Sequence, residues 1–244
     1  EIRVPPIKTS SNESQFVPAN VIALLRASIL EENDDYIALD KPEGIASHGG
    51  SGISIGVIET IRNFGKSYRD AKLVHRLDKD TSGCQVIAKN NKFLRNCNKL
   101  ISERKVKKTY QAIVYGNWIH KDGIYEINIE KNMLIGKERM VRISDGGKIA
   151  KTFFKVIESS KHFSLIQCEL ITGRTHQLRV HLSELGFPIV GDKKYGIKEN
   201  KLPSSSGHKK RMYLHANSFI SKDLNIHINV KPPKEFKKIL KNDE

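Results

Sequence analysis

The chain has 244 residues, enough for one large domain around a single hydrophobic core. Lys and Arg number 42 against 27 Asp and Glu, and the formal net charge of +15 favours a polyanionic partner, nucleic acid before an anionic membrane. The longest apolar stretch, residues 21–25, is far shorter than the roughly 20 residues that span a bilayer, so we expect a soluble protein. Cys84, Cys97 and Cys168 form no C-x-x-C pair, which indicates small buried side chains in a reducing cytoplasm.

Taken in chain order, residues 1–20 mix Pro, Ser, Asn and Lys without a period, as a linker does, and a short helix is predicted over 19–29. Strand-like patterns occur at 36–39, 85–88, 109–115, 124–129, 152–157 and 163–170. Helical spacing of apolar residues occurs at 53–64, 93–101 and 175–185. Many strands without regular βαβ alternation indicate an α+β domain with a mixed, mainly antiparallel sheet and a few flanking helices.

The segment 73–83 places cations, two carboxylates and turn formers immediately before an apolar strand. Composition alone favours a solvated turn with local ion pairs over a reactive loop. A carboxylate flanked by His75, Arg76 and Lys79, as Asp78 is, should stay ionised, because nearby positive charge favours the charged form. An ionised Asp is suited to act as a nucleophile or a base.

The segment resembles a known signature. His75-Arg76-Leu77-Asp78 followed by Thr81-Ser82-Gly83 is similar to R-L-D-x-x-T-S-G of the RluA family of pseudouridine synthases. Further elements follow in the family's order: Lys41-Pro42 with Gly44 and His48, Lys108-Thr109-Tyr110-Gln111-Ala112, the run 172–181, Gly191-Asp192 with Tyr195-Gly196, and Leu214-His215-Ala216. The Gly-rich segment 48–52 and the opening 3–6 resemble the RluC branch, which acts on large-subunit ribosomal RNA.

The resemblance implies a cytoplasmic enzyme that isomerises uridine to pseudouridine in RNA, with large-subunit ribosomal RNA, 23S in bacteria, as its partner. It implies no cofactor, no metal, no membrane and no protein partner, and we expect a monomer. Members of the branch carry a small S4-type RNA-binding domain ahead of such a linker. We therefore expect residues 1–20 to be a linker that follows a missing N-terminal domain, and residues 21–244 to be the catalytic domain.

The resemblance also implies roles for individual residues. Asp78 is the essential carboxylate, which adds to the ribose or to the base, or initiates elimination to a glycal; the sequence does not choose among these routes. Arg179 is its salt-bridge partner, against the alternative of a surface helix arginine. Tyr110 stacks on the target base and takes part in proton transfer, against the alternative of a core tyrosine. Arg76, beside His75, enters the RNA stack where the uridine leaves.

The segment Arg174-Thr175-His176-Gln177 stands at the predicted start of the third helix, where free N–H groups and the helix dipole favour an anion. We interpret these four residues as phosphate or nucleotide contacts. For His176 and for His181, a hydrogen-bonded packing role is an equal alternative. The basic loop 193–210 and the tail 231–241 either follow phosphates or form solvated faces.

Two other functions fit the composition. A non-catalytic ribosomal-RNA-binding or ribosome-assembly factor would have the same charge, although the joint presence of Asp78, Tyr110 and Arg179 argues against it. A metal-dependent nuclease could hold a divalent ion with Asp78, Asp80 and His75, but it needs further carboxylates that the sequence does not identify.

Overall fold

The computed structural model describes residues 16–50, 55–135, 138–197 and 211–241. Most of the predicted linker, up to residue 15, lies outside these ranges, as do parts of the Gly-rich segment and of the basic loop. The helices are α1 (Ala19–Ala27), α2 (Val57–Arg62), α3 (Asn91–Ser102), α4 (Gln177–Glu184) and α5 (Glu235–Lys241). The strands are β1 (Ile29–Glu32), β2 (Tyr36–Lys41), β3 (Lys72–Leu73), β4 (Ser82–Ala88), β5 (Lys107–Tyr115), β6 (Gly123–Ile135), β7 (Glu138–Ile143), β8 (Lys148–Ser159), β9 (Phe163–Leu170), β10 (Leu214–Ser221) and β11 (Ile226–Asn229).

The described strands form one sheet in the order β1-β2-β4-β10-β5-β9-β8-β6-β7, with β3 beside β4 and β11 beside β10. β4 and β10 pair in parallel, with Ser82 opposite His215 and Gly83 opposite Ala216. The other pairings between these strands are antiparallel. The predicted α+β class with a mixed, mainly antiparallel sheet is therefore confirmed.

All six predicted strands fall inside observed strands, but the short strands β1, β3, β7 and β11 are missing from the prediction, and the helix ends and the C-terminal part differ as well. The helix predicted over 19–29 ends at Ala27, because the chain extends from Ile29 and pairs as β1. The helix predicted from 175 begins at Gln177, since His176 adopts a left-handed backbone with φ 52°. β10 and α5 are also missing from the sequence prediction. The basic tail 231–241 contains α5, and the apolar side of this helix, with Phe236, Ile239 and Leu240, is buried.

The sheet is covered on both faces, and strand alternation decides which side chains meet which helices. Tyr110 and Ala112 of β5 belong to the core cluster that includes apolar residues of α3 and α4. Ile113 faces the other way, against α5, and on the same side Leu39 of β2 meets α1 and α2. Tyr110 therefore lies on the face that carries α3 and α4.

The three cysteines lie in the cluster under α3 and α4, where all are buried and free, as predicted. Burial raises the pKa of the Cys84 thiol to about 12 and that of Cys97 to about 11. Thiols with such values are inert, so the cysteines act as small core residues. Among the described helices, none has the length and apolar character of a membrane span.

Lys41, at the end of β2, is a fully buried lysine that ties the loop carrying Asp78 to the sheet. Its Nζ donates to the backbone carbonyls of Pro42 and Ile45, each at 2.7 Å, and of Lys79 at 3.2 Å. Burial lowers the pKa of Lys41 to about 7, against the opposing charge of nearby carboxylates. Three acceptors around one nitrogen are all satisfied only by the ammonium form, which has three N–H donors.

Ser47 holds the same loop on the other side of Asp78. Its hydroxyl accepts from the backbone N–H of Leu77 at 2.8 Å and donates to the carbonyl of Leu77 at 2.7 Å. The side-chain amide of Gln85 donates to the same hydroxyl at 2.9 Å, so the serine is fully used within the protein. Asp78 thus follows a residue fixed by Ser47 and precedes one fixed by Lys41.

Gly83, the last residue of the signature, is a steric requirement of the parallel pair. Its φ is 107°, and a Cβ at this position would lie 2.2 Å from the carbonyl oxygen of Ala216. Any side chain would therefore push β4 away from β10. The glycine lets the strand that follows the Asp78 loop approach β10 closely.

We predict that Lys41→Met lowers the free energy of unfolding by about 3 kcal/mol, because three partly buried carbonyls lose their common donor, a fully buried ammonium group. Urea unfolding of the variant and the wild type measures this difference. Lys79→Met is the matched control: its side chain is exposed, and we expect a change within about 0.5 kcal/mol. Equal stability of the two variants would contradict a clamping role for Lys41.

Candidate active site

The sheet face that carries α3 and α4 has a cleft of about 1040 Å³. Its walls come from the 74–81 loop, from β5 and from the segment that leads into α4. The structure brings together all nine residues predicted from the sequence: the cleft is lined by His75, Arg76, Asp78, Tyr110, Arg174, Thr175, His176, Gln177 and Arg179.

Arg179 is the cation that meets Asp78. Its Nη1 lies 3.1 Å from Asp78 Oδ2, so the predicted contact between α4 and the loop is present. Of the three sequence neighbours that were expected to supply positive charge, His75 is neutral and supplies none. Arg76 bonds His48 and Lys79 is exposed, so the bonded cation is Arg179 and not a neighbour in sequence. The positive charge at Asp78 comes from a residue about a hundred positions away in the chain.

Asp192 fixes Arg179 from the opposite side. Arg179 Nε donates to Asp192 Oδ2 and Nη2 donates to Oδ1, both at 2.7 Å, which is a bidentate pair. Burial would lower the pKa of Arg179, but the hydrogen bonds and charge of Asp192, followed by the charge of Asp78, raise it above its usual value. Burial likewise acts to raise the pKa of Asp192, and the paired arginine outweighs burial and lowers it.

The side chain of Asp192 closes the turn that follows this residue. Asp192 Oδ1 accepts from the backbone N–H of Lys194 at 2.8 Å and of Tyr195 at 3.1 Å. A Cβ on Gly196 would lie 2.1 Å from the Asp192 carbonyl oxygen, so the tight turn requires a residue without a side chain. The motif elements Gly191-Asp192 and Tyr195-Gly196 mark the two ends of this turn, but the sequence alone predicts no role for Asp192 or Tyr195.

His176 lies immediately before α4 and does not cap it. Its backbone is left-handed, with φ 52° and ψ 21°, a conformation that costs a non-glycine residue on the order of 1 kcal/mol. The ring Nδ1 lies 2.8 Å from the Tyr195 hydroxyl, and Nε2 lies 3.9 Å from Asp78 Oδ2. Burial lowers the pKa of His176, while the charge of Asp78 opposes this effect. A neutral imidazole therefore stands beside the carboxylate.

Tyr110 projects from β5 into the cleft and is 6% exposed. Burial raises the pKa of its hydroxyl, and the nearby Cys84 and Asp78 raise it further. The phenol therefore keeps its proton at physiological pH. The arrangement offers a planar ring with a neutral hydroxyl on the same cleft as Asp78.

Arg76 lies on the exposed rim and is held by His48. Arg76 Nη1 lies 3.1 Å from His48 Nε2, and His48 Nδ1 bonds the carbonyl of Gly49. Glu59 of α2 accepts from the N–H of Gly49 at 3.0 Å and from that of Gly56 at 2.9 Å. The exposed guanidinium thus rests against His48, whose neighbour Gly49 is held by the Glu59 carboxylate.

His75 faces the core side of the cleft wall. Its Nε2 accepts from the N–H of Val86 at 3.0 Å, and its ring stacks on Phe219 with 5.2 Å between centroids. Burial lowers the pKa of His75 to about 3, so the ring is neutral. The predicted RNA contact of His75 stays a prediction, since the ring also has this packing role.

Gln177 is committed to the protein. Its Oε1 accepts from Thr172 Oγ1 at 2.8 Å and from the Arg174 N–H at 2.9 Å. Its Nε2 donates to the Lys151 carbonyl at 2.9 Å and to Thr152 Oγ1 at 3.0 Å. The amide therefore joins the start of α4 to β8. By contrast, Arg174 and Thr175 leave side-chain atoms open to the cleft.

His181 supports the packing alternative. It is buried on α4, with Nδ1 3.2 Å from Thr152 Oγ1 and its ring edge-on to Phe154. Burial lowers its pKa to about 4. Among the described residues, no group of three or more His, Cys, Asp or Glu side chains is placed to hold a metal ion, and the nuclease set of Asp78, Asp80 and His75 does not converge.

We predict that Asp192→Asn lowers the free energy of unfolding by about 3 kcal/mol near neutral pH, because the bidentate partner of a buried arginine loses its charge. The pKa of Asp192 is lowered on folding, so its contribution is present above the unfolded value and disappears as the pH falls through the folded value. The difference from wild type should therefore shrink below about pH 4. Urea unfolding at several pH values measures it, with the exposed Asp34→Asn as control; a difference independent of pH would contradict this account.

Comparison with known proteins agrees with the geometry. The RNA pseudouridylate synthase family model matches residues 35–184, more than half of the chain. The chain is 40% identical over 220 residues to ribosomal large subunit pseudouridine synthase C of Escherichia coli K12, covering 88% of this chain and 69% of the relative. The corresponding Haemophilus influenzae protein is also 40% identical, over 217 residues.

The structure of human RNA pseudouridylate synthase domain containing 4 matches with a TM-score of 0.74 at 27% identity, covering 91% of this chain and 95% of that one. The family and fold expected from the motifs are confirmed: the chain belongs to the RNA pseudouridylate synthase family.

Proposed function

We propose that this synthase isomerises uridines of large-subunit ribosomal RNA in the described cleft, with Asp78 as the catalytic carboxylate. The observation that carries the proposal is the Asp78–Arg179 pair at 3.1 Å, in a cleft that also contains the ring of Tyr110. The reaction breaks the bond from uracil N1 to ribose C1′ and forms one from C5 to C1′. The hydrogen on C5 is lost to solvent and N1 gains one, so atoms balance without a redox step or a cofactor.

Asp78 supplies the reactive group. Arg179 engages Oδ2, and no described residue bonds Oδ1. A carboxylate held at one oxygen by a buried arginine is oriented while its second oxygen stays available as a nucleophile or base. Addition to the ribose, addition to the base and elimination to a glycal each use this free oxygen, so all three routes remain compatible with the geometry.

Tyr110 is proposed to stack on the detached uracil and to assist proton transfer at C5. Its ring lines the cleft, and the raised pKa keeps its hydroxyl protonated. Such a phenol contacts the base by its face and offers one proton or one hydrogen bond. It does not serve as a resting phenolate base.

The rim of the cleft is proposed to contact RNA around the flipped uridine. Removing a base from its stack costs a few kcal/mol, and the exposed guanidinium of Arg76 can occupy the space that the uridine leaves. His75, Arg174, Thr175 and His176 line the adjoining walls, where we propose phosphate or nucleotide contacts. The amide of Gln177 is used within the protein, so its part is to position this segment. The formal net charge of +15 attracts the polyanion as a whole.

The substrate class comes from the relatives, which are named as ribosomal large subunit enzymes. A cytoplasmic location belongs to the same proposal, because bacterial ribosomal RNA is made and assembled there. We also propose that the enzyme acts as a monomer without a protein partner, since every side chain of the proposed chemistry lies on one chain. The alternative, a non-catalytic RNA-binding factor, does not require a buried arginine that orients a carboxylate, so the Asp78–Arg179 pair favours the enzyme.

We predict that Asp78→Asn abolishes isomerisation and leaves the RNA dissociation constant within a few fold, because the amide keeps the shape but loses the anionic oxygen. Release of tritium from ribosomal RNA labelled at uridine C5 measures the reaction, and filter binding to the same RNA measures affinity. The matched control is Asp80→Asn, an exposed carboxylate in the same loop, which should retain activity.

Two outcomes would contradict this assignment. Appreciable tritium release by Asp78→Asn would remove Asp78 from the chemistry, and a collapse of RNA binding would make it a structural or binding residue. Failure of the wild type to release tritium from ribosomal RNA while binding it tightly would favour the non-catalytic alternative.

We predict that Tyr110→Phe binds RNA nearly as well as wild type but reacts at least about tenfold more slowly in single turnovers, because the ring still stacks and only the hydroxyl is lost. Tyr115→Phe is the matched control, since Tyr115 lies on the same strand and packs on the opposite sheet face. If the rate of Tyr110→Phe equals that of wild type, the hydroxyl has no part in proton transfer.

A further inference from the structure

We propose that Tyr195 is a positioning residue that fixes the ring of His176 so that its Nε2–H faces Asp78, and that His176 and Arg179 together hold Oδ2 and leave Oδ1 to react. This inference rests on the proposed function and assigns Tyr195 a role in the same reaction. Tyr195 does not itself contact Asp78; it acts through the two side chains that do.

The first observation is the conformation of His176. A histidine with φ 52° before a helix is strained, and its side chain accepts no N–H of the helix end as a cap would. Its polar atoms are used instead by Tyr195 on one side and face Asp78 on the other, at 2.8 and 3.9 Å. The strained backbone is therefore coupled to a defined ring orientation next to the carboxylate.

The hydrogen bonds of Tyr195 decide which ring nitrogen carries the proton. The N–H of Val141 donates to the Tyr195 hydroxyl oxygen at 3.0 Å, which uses one acceptor position. The hydroxyl has a single hydrogen, and among the described residues the acceptor within reach is His176 Nδ1. A neutral imidazole that accepts at Nδ1 carries its hydrogen on Nε2. That hydrogen lies on the side of Asp78.

Tyr195 also acts on the second partner of Asp78. The guanidinium carbon of Arg179 lies 5.1 Å from the centre of the Tyr195 ring, and the Tyr195 N–H donates to the carboxylate of Asp192 that grips Arg179. One tight turn thus supports both neighbours of Asp78: its carboxylate holds the arginine, and its phenol holds the histidine.

Both neighbours address the same carboxylate oxygen. Arg179 Nη1 is 3.1 Å from Oδ2 and His176 Nε2 is 3.9 Å from Oδ2. The histidine distance is longer than a hydrogen bond, and such contacts shorten when a substrate closes the site. With Oδ2 bonded to Arg179 and faced by His176 Nε2, the rotation of the carboxyl group that would exchange its oxygens is opposed, so Oδ1 is the oxygen presented to the uridine.

The test uses Tyr195→Phe, which keeps the ring beside Arg179 and removes only the hydroxyl. We expect the single-turnover rate to fall roughly tenfold while the RNA dissociation constant changes by less than about twofold, because the loss affects orientation and not phosphate contact. Tyr125→Phe is the matched control: it also removes a hydroxyl bond, to the Lys121 carbonyl at 2.7 Å, and lies away from the cleft lining. This control should match the wild type.

A spectroscopic measurement separates positioning from a loss of stability. Imidazole ¹⁵N shifts, with the His176 signals assigned by comparison with His176→Asn, should report the Nε2–H form in wild type and a mixture of tautomers in Tyr195→Phe. The double variant should react no more slowly than His176→Asn alone, because Tyr195 acts through His176. Additive losses, or an Nδ1–H form of His176 in the wild type, would overturn the proposal.

The measurements also distinguish this inference from the function on which it rests. If the wild type releases no tritium from any RNA, the proposed function fails, whereas the tautomer of His176 still reports whether Tyr195 positions the ring. If the wild type is active and Tyr195→Phe reacts at the same rate with an unchanged tautomer, the proposed function stands and the positioning role is overturned.

Discussion

The active site depends on one buried arginine between two carboxylates. Arg179 binds Asp192 through two parallel hydrogen bonds and reaches Asp78 with its remaining amino group. A buried charge is tolerated only when it is paired, so the arginine needs Asp192 as much as Asp78 needs the arginine. The two carboxylates differ in burial: Asp192 is almost fully buried and hydrogen-bonded, whereas Asp78 is partly open to the cleft. The strong pair provides the framework, and the weaker contact leaves the reactive group accessible.

The loop that carries Asp78 is held by atoms that take no part in chemistry. Lys41 binds the carbonyl on one side of Asp78, and Ser47 binds the backbone on the other. These bonds connect the loop to β2 and to the segment after it, so the catalytic position is defined by the sheet and not by the loop's own turn preferences. Preorganisation of this kind places a reacting group without a reorganisation step during the reaction.

The cleft combines this rigid floor with an exposed rim. Arg76 is reached by solvent and is held through His48, which one carboxylate of α2 supports indirectly through Gly49. A base that leaves its stack requires a group that can move into the vacated space, and an exposed guanidinium with a single neighbouring contact fits this demand better than a buried one. The cleft thus has a fixed carboxylate on its floor and, at its rim, the exposed arginine that is proposed to contact RNA.

The sequence by itself determined the positions of six strands, the class of fold, the family and the identity of the residues around the cleft, because period-two alternation and short motifs are local properties. The resemblance also implied Arg179 as the partner of Asp78, but it did not show that Asp192 fixes this arginine or that His176 stands beside the same carboxylate oxygen. β10 and α5 were also missed: β10 becomes a strand by pairing with β4 and β5, and α5 becomes a helix by packing its apolar side on β5 and β9. Charges act over distances in space and not along the chain, so only the tertiary structure decided which of them lie beside Asp78.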